Sequence, residues 1–82
     1  MSSLSMDLAP QVNLNDRVLA ERIRSHIVNK HRVAARRLEV EVNSKVAILR
    51  GQAETYYQRQ LWLHDAKSFK EVEQIVDLIE VA

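Results

Sequence analysis

The chain has 82 residues, of which 46% are hydrophobic and 28% charged, and its formal net charge is +1. This composition is typical of one small globular domain, which has too little core to surround a large active-site cleft. The absence of cysteine excludes disulfides, a thiolate nucleophile and a cysteine zinc site, and a single glycine excludes a glycine-rich phosphate loop.

Residues 1–12 contain three serines and the only proline and show little hydrophobic periodicity. We therefore expect a flexible N-terminal arm, followed by a single domain over residues 13–82. The arm lacks the basic start and the apolar run of a signal peptide, and no segment reaches the roughly 20 apolar residues of a spanning helix. As written, the sequence predicts a cytoplasmic protein.

The first predicted helix covers about 15 residues, DRVLAERIRSHIVNK. Leu19, Ile23 and Ile27 recur every four residues and form its apolar stripe. Asn13 or Asn15 can cap the helix, because a side-chain oxygen at that position accepts a hydrogen bond from a free backbone N–H. The following HRVAARR is expected to form a loop or a frayed helix end.

A β-hairpin is predicted next. In RLEVEVN, the apolar residues Leu38, Val40 and Val42 alternate with glutamates, which is typical of a strand with one wet face. The dipeptide NS provides turn chemistry before a second strand, KVAIL. Gly51 is expected to end that second strand, because a residue without a Cβ can turn sharply.

A second helix is predicted over about residues 54–68, where Trp62, Leu63, Ala66 and Phe69 share one face. The segment VEQIVDLIEV then forms the last strand. The order α-β-β-α-β predicts an α+β fold, a two-layer α/β sandwich with a three-stranded mixed sheet and two helices on one face. A right-handed crossover would make the second and last strands parallel.

This order and its spaced positions resemble the BON domain, the bacterial osmotic-shock and nodulation family. Asp16 corresponds to the acidic residue that opens the family's first helix. Ala47, Leu49 and Gly51 match the family's V-x-L-x-G strand, with alanine in place of its first valine. Ala66 matches the small residue of the second helix. The final strand is matched by Val72, Ile75, Ile79 and Val81. The turn NSK lacks the family's glycine, and Glu71 replaces the glycine before the final strand. Ring-building domains of secretion systems share the same chain order.

The resemblance implies a binding module that attaches to phospholipid or to other envelope components, and family members are often found in the cell envelope. Residues 1–37 hold seven basic and three acidic residues, a net +4, whereas residues 38–82 hold five and eight, a net −3. The candidate contacts for anionic headgroups are Lys30, Arg32, Arg36 and Arg37. Tyr57 and Leu61 lie off the core stripe, so they either anchor the domain in a membrane interface or pack against the first helix or a neighbouring subunit.

The family register points five residues toward the helices: Ala47, Leu49, Ile75, Ile79 and Val81. A second apolar set then points to the opposite sheet face: Val46, Ile48, Val76 and Leu78. An apolar patch on an open face is typical of an interface. A second copy of the chain is the partner we favour. Two alternatives are that the N-terminal arm folds over the patch with Leu4, Met6, Leu8 and Val12, and that sheet twist leaves little of the patch exposed.

Catalysis finds no support in the sequence. His26, His31 and His64 do not have metal-ligand spacing, and neither H-E-x-x-H nor G-x-S-x-G occurs. We therefore expect no catalytic residue, metal or cofactor, and no small-molecule substrate. The basic residues could contact nucleic-acid phosphates, but the sheet carries aliphatic and glutamate side chains instead of stacking aromatics, which disfavours nucleic acid as a partner.

Overall fold

The computed structural model describes residues 14–34 and 37–82. Its elements, in chain order, are α1 (Leu14–His31), β1 (Leu38–Asn43), β2 (Val46–Ala53), α2 (Tyr56–Lys67) and β3 (Gln74–Val81). This order confirms the predicted α+β fold. Asn13, one of the two predicted caps of α1, lies outside the described residues together with the whole arm, and Asn15 lies inside the helix.

The three strands form one sheet in the order β1-β2-β3. β1 pairs with β2 in antiparallel fashion, with Glu41 opposite Ile48. β2 pairs with β3 in parallel, with Ile48 opposite Val76, as the right-handed crossover through α2 predicts. β1 and β3 are therefore the two edges of the described sheet, and β2 is its centre.

Both helices cover the same face of the sheet and bury the predicted apolar stripes. The largest fully buried side chains are Ile23 and Ile27 from α1, Leu38 and Leu49 from the sheet, and Trp62 from α2. Each such side chain contributes roughly 1.5–3 kcal/mol relative to an exposed position. The predicted core positions in both helices are thus the ones that hold the two layers together.

The end of α1 is set by a hydrogen-bonded motif and not by glycine. Arg32 follows the helix with a φ of 56°, in the left-handed region. The N–H of Val33 then donates to the carbonyl of Val28 over 3.1 Å, and the Val33 side chain is buried. This is the 6→1 bond of a Schellman motif, so the segment predicted as a loop or frayed end begins with a defined helix stop.

The hairpin turn consists of Ser44 and Lys45, with φ values of 51° and 71°. A two-residue turn with positive φ at both positions matches the right-handed twist of the flanking strands. The N–H of Ser44 also donates to Asp16 Oδ2 over 3.2 Å. Asp16 thus ties the start of α1 to the turn, even though the turn lacks glycine.

Gly51 lies inside β2, and the prediction that it ends the strand is wrong. β2 continues to Ala53 because β3 runs alongside it to Val81. The glycine is required for a different reason: its φ is +153°, and a Cβ there would lie 2.0 Å from the carbonyl oxygen of Arg37. The chain entering β1 therefore passes directly against this position.

Two other boundaries differ from the sequence prediction. α2 begins at Tyr56 because Thr55 is its N-cap and accepts a hydrogen bond from the N–H of Gln58 over 3.0 Å. β3 begins at Gln74, two residues later than predicted. Val72 precedes the strand but is still buried, so its apolar side chain indicated a core position and not the start of the strand.

Candidate functional site

The four predicted patch residues lie on the sheet face opposite the helices. Ile48 is directly opposite Val76 in the register, and Leu78 lies two residues further along β3, opposite Arg50. Val46 lies two residues before Ile48 on the same face, because side chains alternate along a strand. Val76 and Leu78 are 37% and 49% exposed, and Val46 and Ile48 are partly exposed. We call these four residues the apolar strip.

The strip has a charged border. Glu39 and Glu41 of β1 point to the same face, as do Arg50 of β2 and Glu80 of β3. Arg50 Nη1 lies 3.2 Å from Glu41 Oε1, so the only cation among these four residues is paired with an acid. The border therefore carries net negative charge around an aliphatic centre.

The structure pairs two of the four predicted headgroup contacts with acids. Lys30 Nζ lies 3.2 Å from Asp65 Oδ1, and Arg37 Nη1 lies 3.9 Å from Glu54 Oε2. Arg32 is exposed, at the end of α1. Arg36, the fourth predicted contact, lies outside the described residues. The basic stretch is thus less available to a phosphate than its sequence suggests.

Asp65 is a buried carboxylate, 5% exposed, that joins the two helices. His31 Nε2 lies 2.5 Å from Asp65 Oδ2, on the side opposite the Lys30 contact. Burial raises the pKa of Asp65, but the hydrogen bonds from His31 and Lys30 lower it by a larger amount, so the pKa lies below its ordinary value. The sequence missed this cluster because 34 residues separate its members.

A second acid, Asp77, sits at the outer edge of the sheet on the helix side of β3. Its carboxylate accepts hydrogen bonds from Arg59 Nε over 2.8 Å and from the N–H of Ile79 over 3.0 Å. Burial raises the pKa of Asp77, and the bonds from Arg59 and Ile79 more than offset this and lower it. The sequence signal was present: Asp77 interrupts the apolar series formed by Ile75 and Ile79.

The aromatic side chains of α2 divide into buried and exposed ones. Tyr56 and Tyr57 are 62% and 71% exposed, so Tyr57 does not pack against α1. Leu61 is partly buried. Trp62 is fully buried, and within the described part of the chain its Nε1 has no hydrogen-bond partner. Val81, predicted to face the helices, is 41% exposed because it lies at the end of β3.

Several clefts of the described surface are lined by charged side chains. One of about 500 Å³ lies between the start of α1, the hairpin turn and the approach to β3. Two of its three cations are paired with acids, Arg22 with Glu71 at 3.3 Å and Lys45 with Glu73 at 3.6 Å, and the third is Lys70. Among residues 14–34 and 37–82, no three His, Asp or Glu side chains are grouped so as to hold a metal ion. Neither α1 nor α2 is long and apolar enough to span a bilayer.

Comparison with known families identifies one match. The model of the BON domain matches residues 15–82, a range that begins one residue inside α1 and ends with the chain. It therefore includes the helices, the hairpin and the crossover to β3. No curated protein matches the chain.

Proposed function

Since the chain belongs to the BON domain family, whose members are non-catalytic binding domains, we propose that it associates with a second copy through its apolar strip. The observation that carries the proposal is the exposure of Val76 and Leu78 on a face that neither helix covers. Val46 and Ile48 extend the same surface onto β2. Contiguous aliphatic surface with a polar border is the usual composition of a protein–protein contact.

The energetics favour a reversible association. Fully burying an aliphatic side chain stabilises a complex by roughly 1.5–3 kcal/mol, and all four strip residues are already partly covered. Association costs an estimated 4–15 kcal/mol in lost translational and rotational freedom. The strip alone therefore supports a weak complex, and its population should depend strongly on protein concentration.

The charged border distinguishes a protein partner from a membrane. Glu39, Glu41 and Glu80 surround the strip, and Arg50 is paired with Glu41. Acidic side chains repel an anionic lipid surface, which lies within a Debye length of them at contact. The strip therefore suits a protein face better than a bilayer. In a complex with two-fold symmetry, each copy would present the same strip to the other.

The experiment is the solution mass by light scattering after size exclusion, at several protein concentrations. The unmodified chain should approach the mass of two copies as its concentration rises. Ile48→Asp and Leu78→Asp should each return it to one copy with an unchanged circular-dichroism spectrum, because a charge at the strip's centre must be desolvated. Val18→Asp is the matched control: it adds the same charge at an aliphatic residue of α1 that is 57% exposed.

Two results would contradict the proposal. If neither strip variant changes the mass at any concentration, the strip is not the interface. If Val18→Asp lowers the mass as much as the strip variants do, the effect reflects added charge and not this surface.

A second candidate function is attachment to an anionic phospholipid surface through the basic stretch. What favours it is a cleft of about 220 Å³ at the end of α1 into which both Arg32 and Arg37 contribute. Arg32 is exposed, and the Arg37 contact with Glu54 is long enough to be exchanged for a phosphate. Each such cation contributes about 1 kcal/mol near an anionic surface.

Vesicle pelleting at low salt tests this candidate. The chain should pellet with anionic but not with neutral vesicles, and Arg36→Glu/Arg37→Glu should abolish pelleting. The control Arg17→Glu/Lys67→Glu makes the same change in net charge at exposed positions away from the cleft. Absence of pelleting at low salt, or equal loss in the control, argues against the basic stretch.

A further inference from the structure

Within the described residues no strand pairs with the outer edge of β3, and the backbone geometry shows which of its N–H groups point away from β2. Gln74 donates its N–H to the carbonyl of Lys45 over 3.3 Å, and Ala82 donates to Ala53 over 3.0 Å. Successive backbone groups of a strand point to opposite sides, so the even-numbered residues of β3 bond to β2. The N–H groups of Ile75, Asp77, Ile79 and Val81 therefore point away from the sheet.

One of these outward N–H groups already donates a hydrogen bond within the chain. The N–H of Ile79 donates to Asp77 Oδ1 over 3.0 Å, within the same strand. The other carboxylate oxygen, Oδ2, receives two hydrogen bonds from the guanidinium of Arg59 on α2. Arg59 in turn lies over the ring of Tyr56, 5.3 Å from its centroid. Asp77 is thus held in place from the helix layer while it covers the middle of the edge.

A second copy of β3 is the strand that fits this edge. If two β3 strands meet in antiparallel fashion about a two-fold axis at Leu78, Ile75 faces the partner's Val81 and Asp77 faces the partner's Ile79. Every residue from Ile75 to Val81 then has a partner, and the apolar strips of the two copies become continuous across Leu78. At the centre of that pairing, the N–H of Ile79 must donate to the partner's Asp77 carbonyl, and this amide is the one that Asp77 Oδ1 holds.

We propose that Asp77, positioned by Arg59, closes the β3 edge to strand pairing with a second copy of the chain. Natural sheets commonly protect exposed edges with charged side chains, because an unprotected edge joins copies without limit or specificity. The closure of the edge does not depend on the proposed function. Its consequence, that copies meet through the apolar strip and not through their edges, rests on that function.

The test uses Asp77→Val in an Ile48→Asp background, where the strip is disrupted. Valine removes the acceptor and favours strand structure, so the double variant should form dimers or larger species while Ile48→Asp alone stays at one copy. Asp77→Asn in the same background is the matched control. It removes the same charge but keeps an oxygen that can accept from Ile79, and it should remain a single copy.

The outcomes separate the two proposals. If Ile48→Asp does not change the mass of the chain, the apolar strip fails as an interface, and Asp77→Val is compared with Asp77→Asn in the unmodified chain instead. A folded Asp77→Val protein with the same mass as Asp77→Asn overturns the closure of the edge in either background.

Amide hydrogen exchange tests the same proposal in the unmodified chain, so the result does not depend on whether a variant folds. Ile75 and Ile79 both point their N–H outward, and within residues 14–34 and 37–82 only the N–H of Ile79 has an acceptor, Asp77 Oδ1. The amide of Ile79 should exchange about five- to tenfold more slowly than that of Ile75, as one net hydrogen bond implies. Equal exchange rates would show that Asp77 does not hold this amide, and would overturn the proposal.

Discussion

His31 Nε2 lies 2.5 Å from Asp65 Oδ2 and joins the last residue of α1 to a buried carboxylate of α2. Lys30 Nζ reaches the other oxygen of the same carboxylate, over 3.2 Å. The His31 side chain is 16% exposed and that of Lys30 is 54% exposed. The buried contact should therefore matter more to stability than the exposed one.

Replacing these partners one at a time should reveal that order. Lys30→Met should cost about 0.5–1 kcal/mol, because water screens an exposed ion pair. His31→Leu should cost about 2–4 kcal/mol, because it deprives a buried carboxylate of its closest partner. Asp65→Ala should fall between them, since it removes the buried charge itself. Urea unfolding at neutral pH measures all three, and equal effects of Lys30→Met and His31→Leu would contradict this reading.

The pH dependence of stability follows from Asp65 and Asp77. The pKa of each is lowered below its ordinary value of 3.8 in the folded chain: burial raises it, and hydrogen bonds lower it by more. Each carboxylate therefore contributes stability that is present above its unfolded pKa and is lost as the pH falls through the folded one. Asparagine does not titrate, so the stability difference between the unmodified chain and Asp65→Asn should shrink below pH 3.8. Urea midpoints between pH 6 and pH 2 test this, and a constant difference would count against it.

Gly51→Ala should destabilise the fold by at least about 2 kcal/mol, because the new Cβ would collide with the Arg37 carbonyl in a backbone conformation that L residues avoid. Gln52→Ala provides the comparison. It introduces the same residue at the next position of β2, which is exposed, and should change stability by about 0.5 kcal/mol or less. Thermal and urea unfolding of both variants would show whether the requirement belongs to Gly51 or to the strand.

The hairpin turn should be stabilised by residues that adopt positive φ easily. Ser44→Asn/Lys45→Gly should raise the free energy of unfolding by about 0.5–1 kcal/mol, because both positions have positive φ and these residues adopt it with little strain. Lys45→Ala is the control: it removes the exposed Lys45–Glu73 contact without relieving the backbone. An unfolding free energy that falls in the double variant would show that the Glu73 contact outweighs the strain of the turn.

Local sequence patterns predicted all five elements and most of the buried hydrophobic positions. Period-two and period-four patterns are local, so they identified α1 through Leu19, Ile23 and Ile27 and the hairpin through Leu38, Val40 and Val42 before any contact between elements was known. The order of those elements predicts the mixed sheet, and that order together with spaced positions such as Leu49 and Gly51 carries the resemblance to the BON domain. The strip residue Ile48 could also be assigned to its face, because alternation along a strand depends only on sequence position.

Which distant groups meet depends on how the elements pack against one another. His31 and Asp65 are 34 residues apart, and Asp77 finds Arg59 only when β3 lies beside α2. Gly51 illustrates the same limit: its pattern suggested a strand end, and the approach of Arg37, a non-local contact, gave the actual reason for glycine. Local propensity and hydrophobic periodicity depend only on residues within the same segment. The ion pairs and the covered edge arise from packing between segments, whose energy no single stretch of sequence contains.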